Sequence, residues 1–172
     1  MEPQRFYGKY RGTVVNNVDP MLQGRIQALV PDVSNVMLTS WAEPCVPVAG
    51  MQMGIFAVPP IGAGVWVEFE HGDPDHPIWT GCIVGSAADV PAAAQLIPLA
   101  VPGITLQTTL QNSLVVCDLP PTPLTGGIVL KSATGAMIVV NDSGIYIQNG
   151  RGASIMLVGP TVTINQGALV IT

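Results

Sequence analysis

Charged residues are scarce in this chain of 172 residues. Asp, Glu, Lys and Arg make up 10% of the sequence, whereas an average soluble domain contains roughly 25%. After Asp118, the only charged side chains are Lys131, Asp142 and Arg151. The formal net charge of −5 argues against nucleic acid as a partner. An apolar chain with so few charges is expected to bury much of its surface against other subunits.

Long hydrophobic runs and cysteine frameworks are also lacking. Gly or Pro interrupts the apolar runs well short of the ~18 residues that a membrane-spanning helix needs. Cys45, Cys82 and Cys117 are scattered without a Cys-x-x-Cys pair, so they indicate neither a disulfide framework nor a zinc site. The N-terminal residues lack the apolar core of a signal peptide. We therefore expect the chain to fold and assemble in a cytoplasm, with its cysteines reduced.

Residues 126–172 alternate short β-branched runs with turns of Gly, Asn, Asp and Pro, a pattern typical of β-strands. Ile138, Ile147, Ile155 and Ile164 recur every eight or nine residues, a period too short for a helical array. Strands this short are marginal as isolated hairpins. A closed prism would stabilise them if three copies wrapped together and covered one another's edges. The pattern alone also allows a monomeric β-solenoid or the second sheet of a sandwich.

The prism hypothesis assigns structural roles to two sets of residues. The side chains expected to fill the axis are Ile138, Ile147, Ile155, Val162 and Ile164. The glycines expected to set the corners are Gly135, Gly144, Gly150, Gly159 and Gly167. A shift of one residue in the register would invert every facing.

Residues 7–86 carry a different β pattern, in which Pro and Gly turns separate short strands. Val65, Val67 and Phe69 alternate with polar or larger residues, which places these three side chains on one face of a strand. Several short strands with long loops fit a small Greek-key barrel such as the OB-fold. Between the two regions, residues 87–103 predict a Pro/Ala linker with one helical turn at 92–96. Two strands at 104–109 and 113–117 are expected to form a neck.

The N-terminal region contains a series of motifs: Gly12 with Val14, Asp19-Pro20, Gly24-Arg25-Ile26, Val30-Pro31, Trp41, Pro59 with Gly62, Val65-x-Val67-x-Phe69, and Gly72-Asp73-Pro74 with Pro77. The chain then ends in ASIMLVGPTVTINQGALVIT. The first series resembles the OB-fold domain of contractile-tail spike proteins, and the ending is similar to the β-prism of that family. The family includes phage baseplate spikes, the valine-glycine-repeat spikes of type VI secretion and their extracellular-injection relatives.

This resemblance implies an all-β fold in three parts. An N-terminal OB-fold barrel (1–86) would form a collar, and a linker and neck (87–125) would follow. A triple-stranded β-helix or prism (126–172), in which the three chains are intertwined, would form a needle. The barrel residues expected to be structural are Gly12, Gly24, Trp41, Val65, Val67, Phe69, Gly72 and Pro74. The resemblance also implies a homotrimer at the centre of a baseplate, which is driven into a target envelope when the sheath contracts.

The resemblance further predicts which partners and groups the chain has. We expect no enzymatic activity, no cofactor and no metal. Because the strand pattern begins by Tyr10, the hub of the tail tube is expected to be a separate chain. The apolar residues 169–171 predict a blunt, metal-free end that a proline-alanine-alanine-arginine (PAAR) repeat protein caps; alternatively, they are simply packed trimer core. Assembly in the bacterial cytoplasm would precede incorporation into a virion or injection particle.

Two other functions remain open. The aromatic residues of the barrel, among them Trp41, Trp66 and Trp79, could stack against a sugar or an oligonucleotide. The chain would then be a ligand-binding barrel with an oligomerising β-tail. A spike with a cryptic hydrolase activity is a third option, although residues 87–125 contain no Glu that could pair with another carboxylate for glycoside hydrolysis. His71, Asp73, Asp75 and His76 are metal-ligand types, but the family places a turn at this position.

Overall fold

The computed structural model describes residues 4–34 and 37–171, except for the side chain of Val170. The chain divides into two compact units, Met1–Gly85 and Ser86–Thr172. Residues 1–3 and Thr172, at the outer ends of the predicted collar and needle, lie outside the described part of the chain. The regular structure is almost entirely β, as the turn-rich sequence predicts.

The N-terminal unit is a small barrel. Its strands are β1 (Tyr10–Asn16), β2 (Gln27–Leu29), β3 (Glu43–Pro44), β4 (Ala49–Gly50), β5 (Met53–Gly54), β6 (Gly64–Phe69) and β7 (Pro77–Ile83). Five of them form a sheet in the order β2-β1-β6-β7-β3. Ile26, just before β2, and Ala42, just before β3, exchange backbone hydrogen bonds of 3.1 and 2.7 Å. This bridge joins the two ends of the sheet and closes the barrel, while β4 and β5 form a separate hairpin.

The interior of the barrel follows from the alternation in β6. Val65, Val67 and Phe69 are buried, whereas the intervening Trp66 and Glu68 are only partly covered. The remaining members of the core are Val14, Ile26, Ala28, Val30, Ala42 and Trp79. The long strands β1, β6 and β7 thus direct alternate side chains inward, as a half-buried strand requires.

The C-terminal unit is one antiparallel sheet. It contains a short helix, α1 (Ala92–Gln95), and the strands β8 (Gly103–Gln107), β9 (Ser113–Cys117), β10 (Gly127–Lys131), β11 (Met137–Asn141), β12 (Gly144–Gln148), β13 (Ser154–Val158), β14 (Thr161–Ile164) and β15 (Leu169–Ile171). Each strand pairs with the next along the chain, so that eight strands form a single meander. Short turns favour this order because they let neighbouring strands pair locally.

The sheet differs from the sequence expectation in two respects. The predicted neck strands, β8 and β9, continue the same sheet as β10–β15, and the Pro-rich residues 118–126 form a loop between β9 and β10. In addition, each inner strand takes both of its hydrogen-bonding neighbours from its own chain. Pairing with other copies is therefore not needed to satisfy the backbone groups of the inner strands.

No helix within the described residues is long and apolar enough to cross a membrane.

Candidate functional site

One face of the C-terminal sheet carries two continuous rows of aliphatic side chains. Residues that pair directly across neighbouring strands of an antiparallel sheet project from the same face. The first row is Ile104, Val116, Ile128, Val140, Ile145, Leu157, Val162 and Ile171. The second row is Leu106, Leu114, Leu130, Ile138, Ile147, Ile155, Ile164 and Leu169. We call these two rows, which contain only Ile, Leu and Val, the aliphatic face.

The aliphatic face lies open to water in the single chain. The exposed fraction of its most accessible side chains ranges from 37% at Leu157 to 67% at Ile104, and only Leu114, Val162 and Ile164 are half-buried. Fully burying a side chain of this kind is worth roughly 1.5–3 kcal/mol, so covering the part that is still exposed is worth roughly half of that. A contiguous apolar patch of this extent marks an interaction surface.

Over strands β9–β12, the opposite face of the sheet is covered by the chain itself. Val115, Cys117, Val129, Val139 and Tyr146 form a buried cluster on this side. Ala93 and Ile97, in and just after α1, and Leu119, in the β9–β10 loop, pack against the cluster. The same chain thus shields one face of its sheet with its own segments and leaves the aliphatic face bare.

Asn141 holds the β9–β10 loop over this covered face. Its Nδ2 lies 2.8, 3.0 and 3.2 Å from the carbonyl oxygens of Thr122, Thr125 and Gly126, to which it donates. Its Oδ1 accepts hydrogen bonds from the backbone N–H and the hydroxyl of Ser143. A single amide at the end of β11 therefore connects the loop to the next turn. Sequence reasoning missed this role because Asn141 lies in an ordinary turn motif.

The five residues predicted to fill a needle axis all lie on the aliphatic face. Ile138, Ile147, Ile155 and Ile164 are consecutive members of the second row, and Val162 belongs to the first. Within each strand the aliphatic residues are two positions apart, and the turn lengths place them opposite one another on neighbouring strands. These residues therefore share one face of the sheet. Their position at the axis of an assembly remains a prediction.

The predicted corner glycines all adopt positive φ at or beside the turns between strands: Gly135, Gly144, Gly150, Gly159 and Gly167. Two of them are side by side. A Cβ atom on Gly150, whose φ is 72°, would lie 2.8 Å from the carbonyl carbon of Gly135, which is closer than real Cβ contacts. Larger residues at this point would push apart the β10–β11 and β12–β13 turns.

The predicted barrel residues are distributed between the core and its turns. Val65, Val67 and Phe69 are buried. A Cβ on Gly12 would lie 3.2 Å from Val67 Cγ2, so the small residue permits close packing. The carbonyl of Gly24 accepts a 3.1 Å hydrogen bond from Trp79 Nε1. The others are placed as follows: Gly72 is buried at positive φ, Pro74 is half-buried, and Trp41 is half-buried beneath Arg25.

The buried Asp19 and the half-buried Arg25 form an ion pair that organises the β1–β2 loop. Arg25 Nη2 lies 2.7 Å from Asp19 Oδ1, and the Asp19 carboxylate also accepts from the backbone N–H groups of Met21, Gln23 and Arg25. The Arg25 hydrogen bond, assisted by the backbone donors, outweighs desolvation and holds the pKa of Asp19 well below its usual range. The guanidinium also lies 5.6 Å from the Trp41 ring centroid. Both residues lie in recognised motifs, but their pairing is not evident from the sequence.

Side chains that could stack against a ligand or bind a metal make contacts within the barrel unit instead. Arg11 lies over the Trp66 ring at 5.0 Å, and Trp79 belongs to the core. Asp73 pairs with Arg5 at 3.4 Å and with His76 Nδ1 at 3.9 Å. Among residues 4–34 and 37–171, no group of three or more His, Cys, Asp and Glu side chains is placed to hold a metal.

Comparison with known families assigns both units. Residues 10–83 match the model of the type VI secretion system/phage-baseplate injector OB domain. Residues 103–170 match that of the phage baseplate V C-terminal trimerisation domain. The chain belongs to the phage baseplate V family. No curated protein matches it at a significant level.

The baseplate V assignment agrees with the geometry of each unit. The closed barrel is the OB domain, and the trimerisation-domain match covers the sheet from β8, including the two predicted neck strands, to residue 170 in β15. The trimerisation domain supports a homotrimer, and the aliphatic face is an uncovered apolar surface on the matched strands. The baseplate V families are structural spike and injector domains, which supports a structural role for this chain.

The Asp19–Arg25 pair predicts a pH-dependent stability of the barrel. Asp19→Asn should lower the unfolding temperature at neutral pH, because the neutral amide no longer pairs with Arg25. The folded pKa of Asp19 is depressed, so its contribution is complete above about pH 5, one unit above the ordinary Asp pKa of about 3.9, and is lost as the pH falls toward the folded value. The difference in unfolding temperature between wild type and variant should therefore narrow between about pH 5 and about pH 2.5.

Tryptophan fluorescence is the appropriate measurement, since all three Trp residues belong to the barrel unit. Asp32→Asn, which removes an exposed carboxylate, controls for the loss of one negative charge. A difference for Asp19→Asn that is constant over the whole pH range would contradict the stabilising role of the ion pair.

Asn141→Asp should loosen the β9–β10 loop. The variant keeps an oxygen that accepts from Ser143 but loses the Nδ2 donor, and it places a carboxylate beside three carbonyl oxygens. Amide hydrogen exchange in residues 122–126 should accelerate by about fivefold, which corresponds to roughly 1 kcal/mol for a net hydrogen bond.

Asn149→Asp is a charge-matched control, because the Asn149 side chain serves as an acceptor for the N–H groups of Arg151 and Ala153. Exchange in residues 122–126 should be unchanged in this control. Equal exchange in wild type and Asn141→Asp would show that the loop is held by other contacts.

Proposed function

We propose that this chain is a non-enzymatic subunit of the central spike at the baseplate of a contractile injection machine, either a phage tail or a phage-tail-like particle. Three copies form the spike, with the OB units as its collar and the eight-stranded sheets as its needle. The observation that carries the proposal is the aliphatic face, which is bare in one chain and lies on strands that match a trimerisation domain.

The arrangement we propose for the needle is a three-sided prism made of single-chain sheets. Each sheet turns its aliphatic face toward the axis and its self-covered face outward. Two sheets packed face to face would also bury these rows, but the trimerisation-domain match favours three. Eight strands at a spacing of about 4.8 Å give a shaft of roughly 34 Å.

The needle acts by stiffness rather than by chemistry. A dry interior of interdigitated side chains is packed as densely as an organic crystal, and a continuous hydrogen-bonded sheet forms each wall. Bending the shaft would break many contacts at once. Sheath contraction would therefore transmit force through the prism to the target envelope, with no covalent bond made or cleaved.

Two partners and a location follow from this role. A separate hub protein connects the collar to the tail tube. A PAAR repeat protein caps the apolar end of the needle, where β15 pairs only with β14 in the described chain and leaves its other edge free. A free strand edge of this kind is a template for another strand. The chain assembles in the bacterial cytoplasm and then becomes part of the virion or injection particle.

The mass of the purified chain in solution tests the proposal directly. Light scattering should give three times the 17.9 kDa mass of the chain, and the species should resist unheated detergent, since the buried rows of the three sheets would have to separate together. A monomeric species would contradict the spike proposal, and the barrel would then be screened for sugar and oligonucleotide ligands.

Ile155→Asp should abolish the trimer. In the proposed prism the substitution places three carboxylates near one axis in a dry core, and burial of unpaired charge there costs several kcal/mol for each ion. Light scattering should then detect monomer or aggregate but no trimer.

Ser154→Asp provides the matched control, because Ser154 neighbours Ile155 on the same strand and projects from the opposite face. This variant should retain the trimer. A stable trimer of Ile155→Asp would show that the aliphatic face does not line the axis.

A further inference from the structure

The few charges of the C-terminal unit are concentrated at the strand ends of the sheet. Residues 86–172 contain only Asp89, Asp118, Lys131, Asp142 and Arg151. Asp89 lies before the sheet, in the capping box of the turn at Ser86. The other four lie at the ends of strands or in the turns that join them.

The order of strands in the meander places the two basic residues on one side of the sheet and the two acidic residues on the other. Successive turns of an antiparallel meander lie on alternate sides of the sheet. Lys131 ends β10 beside the turn to β11, and Arg151 lies in the turn from β12 to β13, so both are on one side, which we call the basic edge. Asp118 follows β9 and Asp142 lies in the turn from β11 to β12, so both are on the other side, the acidic edge.

All four side chains are exposed. Within the described residues of the unit, none of them forms an ion pair. The barrel unit differs, because there Asp19, Glu68 and Asp73 each pair with a basic side chain. The sheet thus presents two opposite charged edges whose partners are missing from its own chain.

We propose that the basic edge of each copy packs against the acidic edge of the next copy, so that Lys131 and Arg151 form ion pairs with the neighbouring copy's Asp118 and Asp142. This inference rests on the trimeric prism proposed above. Closed cyclic symmetry joins different surfaces of neighbouring subunits head to tail. In a prism of three sheets, each corner must therefore bring one copy's basic edge to the next copy's acidic edge.

The heights of the charges along the stack of strands also match. Asp118 lies between β9 and β10, Lys131 at the end of β10, Asp142 between β11 and β12, and Arg151 between β12 and β13. The turns of the two edges can therefore interdigitate, with negative and positive charges alternating along the corner. Arg151 and Asp142 differ in height by one strand spacing of about 4.8 Å, which is within the reach of an Arg side chain.

These ion pairs would fix the position of each copy along the prism axis relative to its neighbours, which the aliphatic face alone does not do. The two rows repeat Ile, Leu and Val at every strand, so a copy displaced along the axis would still bury apolar surface. Charged groups across an interface fix register more than they add affinity. A displaced copy would leave its edge charges opposite uncharged turns or opposite charges of the same sign.

Charge reversal of the two edges tests the proposal. Asp118→Lys with Asp142→Lys makes both edges basic, and Lys131→Asp with Arg151→Asp makes both acidic. In low salt, each double variant should lose its detergent-resistant trimer at least about tenfold faster than wild type, since every corner then opposes like charges. Exchanging all four charges together should restore the rate to within about twofold of wild type.

The control for the basic variant is Asp32→Lys with Asp75→Lys, which makes the same charge change at exposed positions of the barrel. It should dissociate as wild type does. The wild-type trimer itself should dissociate faster at about 1 M salt, where screening acts within about 3 Å. This salt measurement requires no variant, so it still tests whether edge ion pairs stabilise the trimer if a double variant fails to fold.

The outcomes separate this proposal from the one on which it rests. A monomeric wild type would overturn the spike proposal. A trimeric wild type whose dissociation is insensitive to salt, or double variants that dissociate as slowly as wild type, would overturn the edge pairing alone and leave the trimer intact. Restored stability in the fourfold exchange would establish that the charges act as pairs.

Discussion

The C-terminal unit depends on one constraint: aliphatic residues must alternate with other residues along every strand, in the same register from strand to strand. Every second residue from β8 to β15 is aliphatic, and every turn preserves the phase, so sixteen Ile, Leu and Val side chains reach one face. An insertion of one residue in a strand would move all following side chains of that strand to the other face. The glycine turns matter because they reverse the chain at positions that keep the aliphatic side chains of successive strands on the same face.

The low charge of the sequence follows from the same constraint. One face is aliphatic, and α1 and the β9–β10 loop cover the other face over β9–β12, so the two faces offer little room for solvated charge there. The strand ends remain, and the four charges of the sheet occupy them. The exposed aliphatic rows are a liability for the single chain, because large contiguous apolar patches favour association or aggregation. A second and third copy would remove this liability by burying the rows.

Local sequence patterns predicted what depends on short-range order. Strand positions and the shared face of Ile138, Ile147, Ile155 and Ile164 follow from alternation and turn residues alone. The boundary of the C-terminal unit does not follow from local patterns, because the Pro-rich residues 118–125 resemble a break between segments. They are instead a loop held across the sheet by Asn141. The pairing of Asp19 with Arg25 cannot be predicted from their spacing in the sequence either, because it depends on how the β1–β2 loop folds back.

The pairing of strands within one chain changes how the needle would assemble. An intertwined helix requires three chains to exchange backbone hydrogen bonds as they fold, with a high entropic cost for bringing distant segments together. A meander forms from neighbours in sequence, and local contacts form quickly. We therefore infer that each sheet forms first and that association follows through side chains. Stiffness between the walls would then depend on the packing of the aliphatic rows and on the corners, whereas stiffness along each wall would come from the backbone ladder of a single chain.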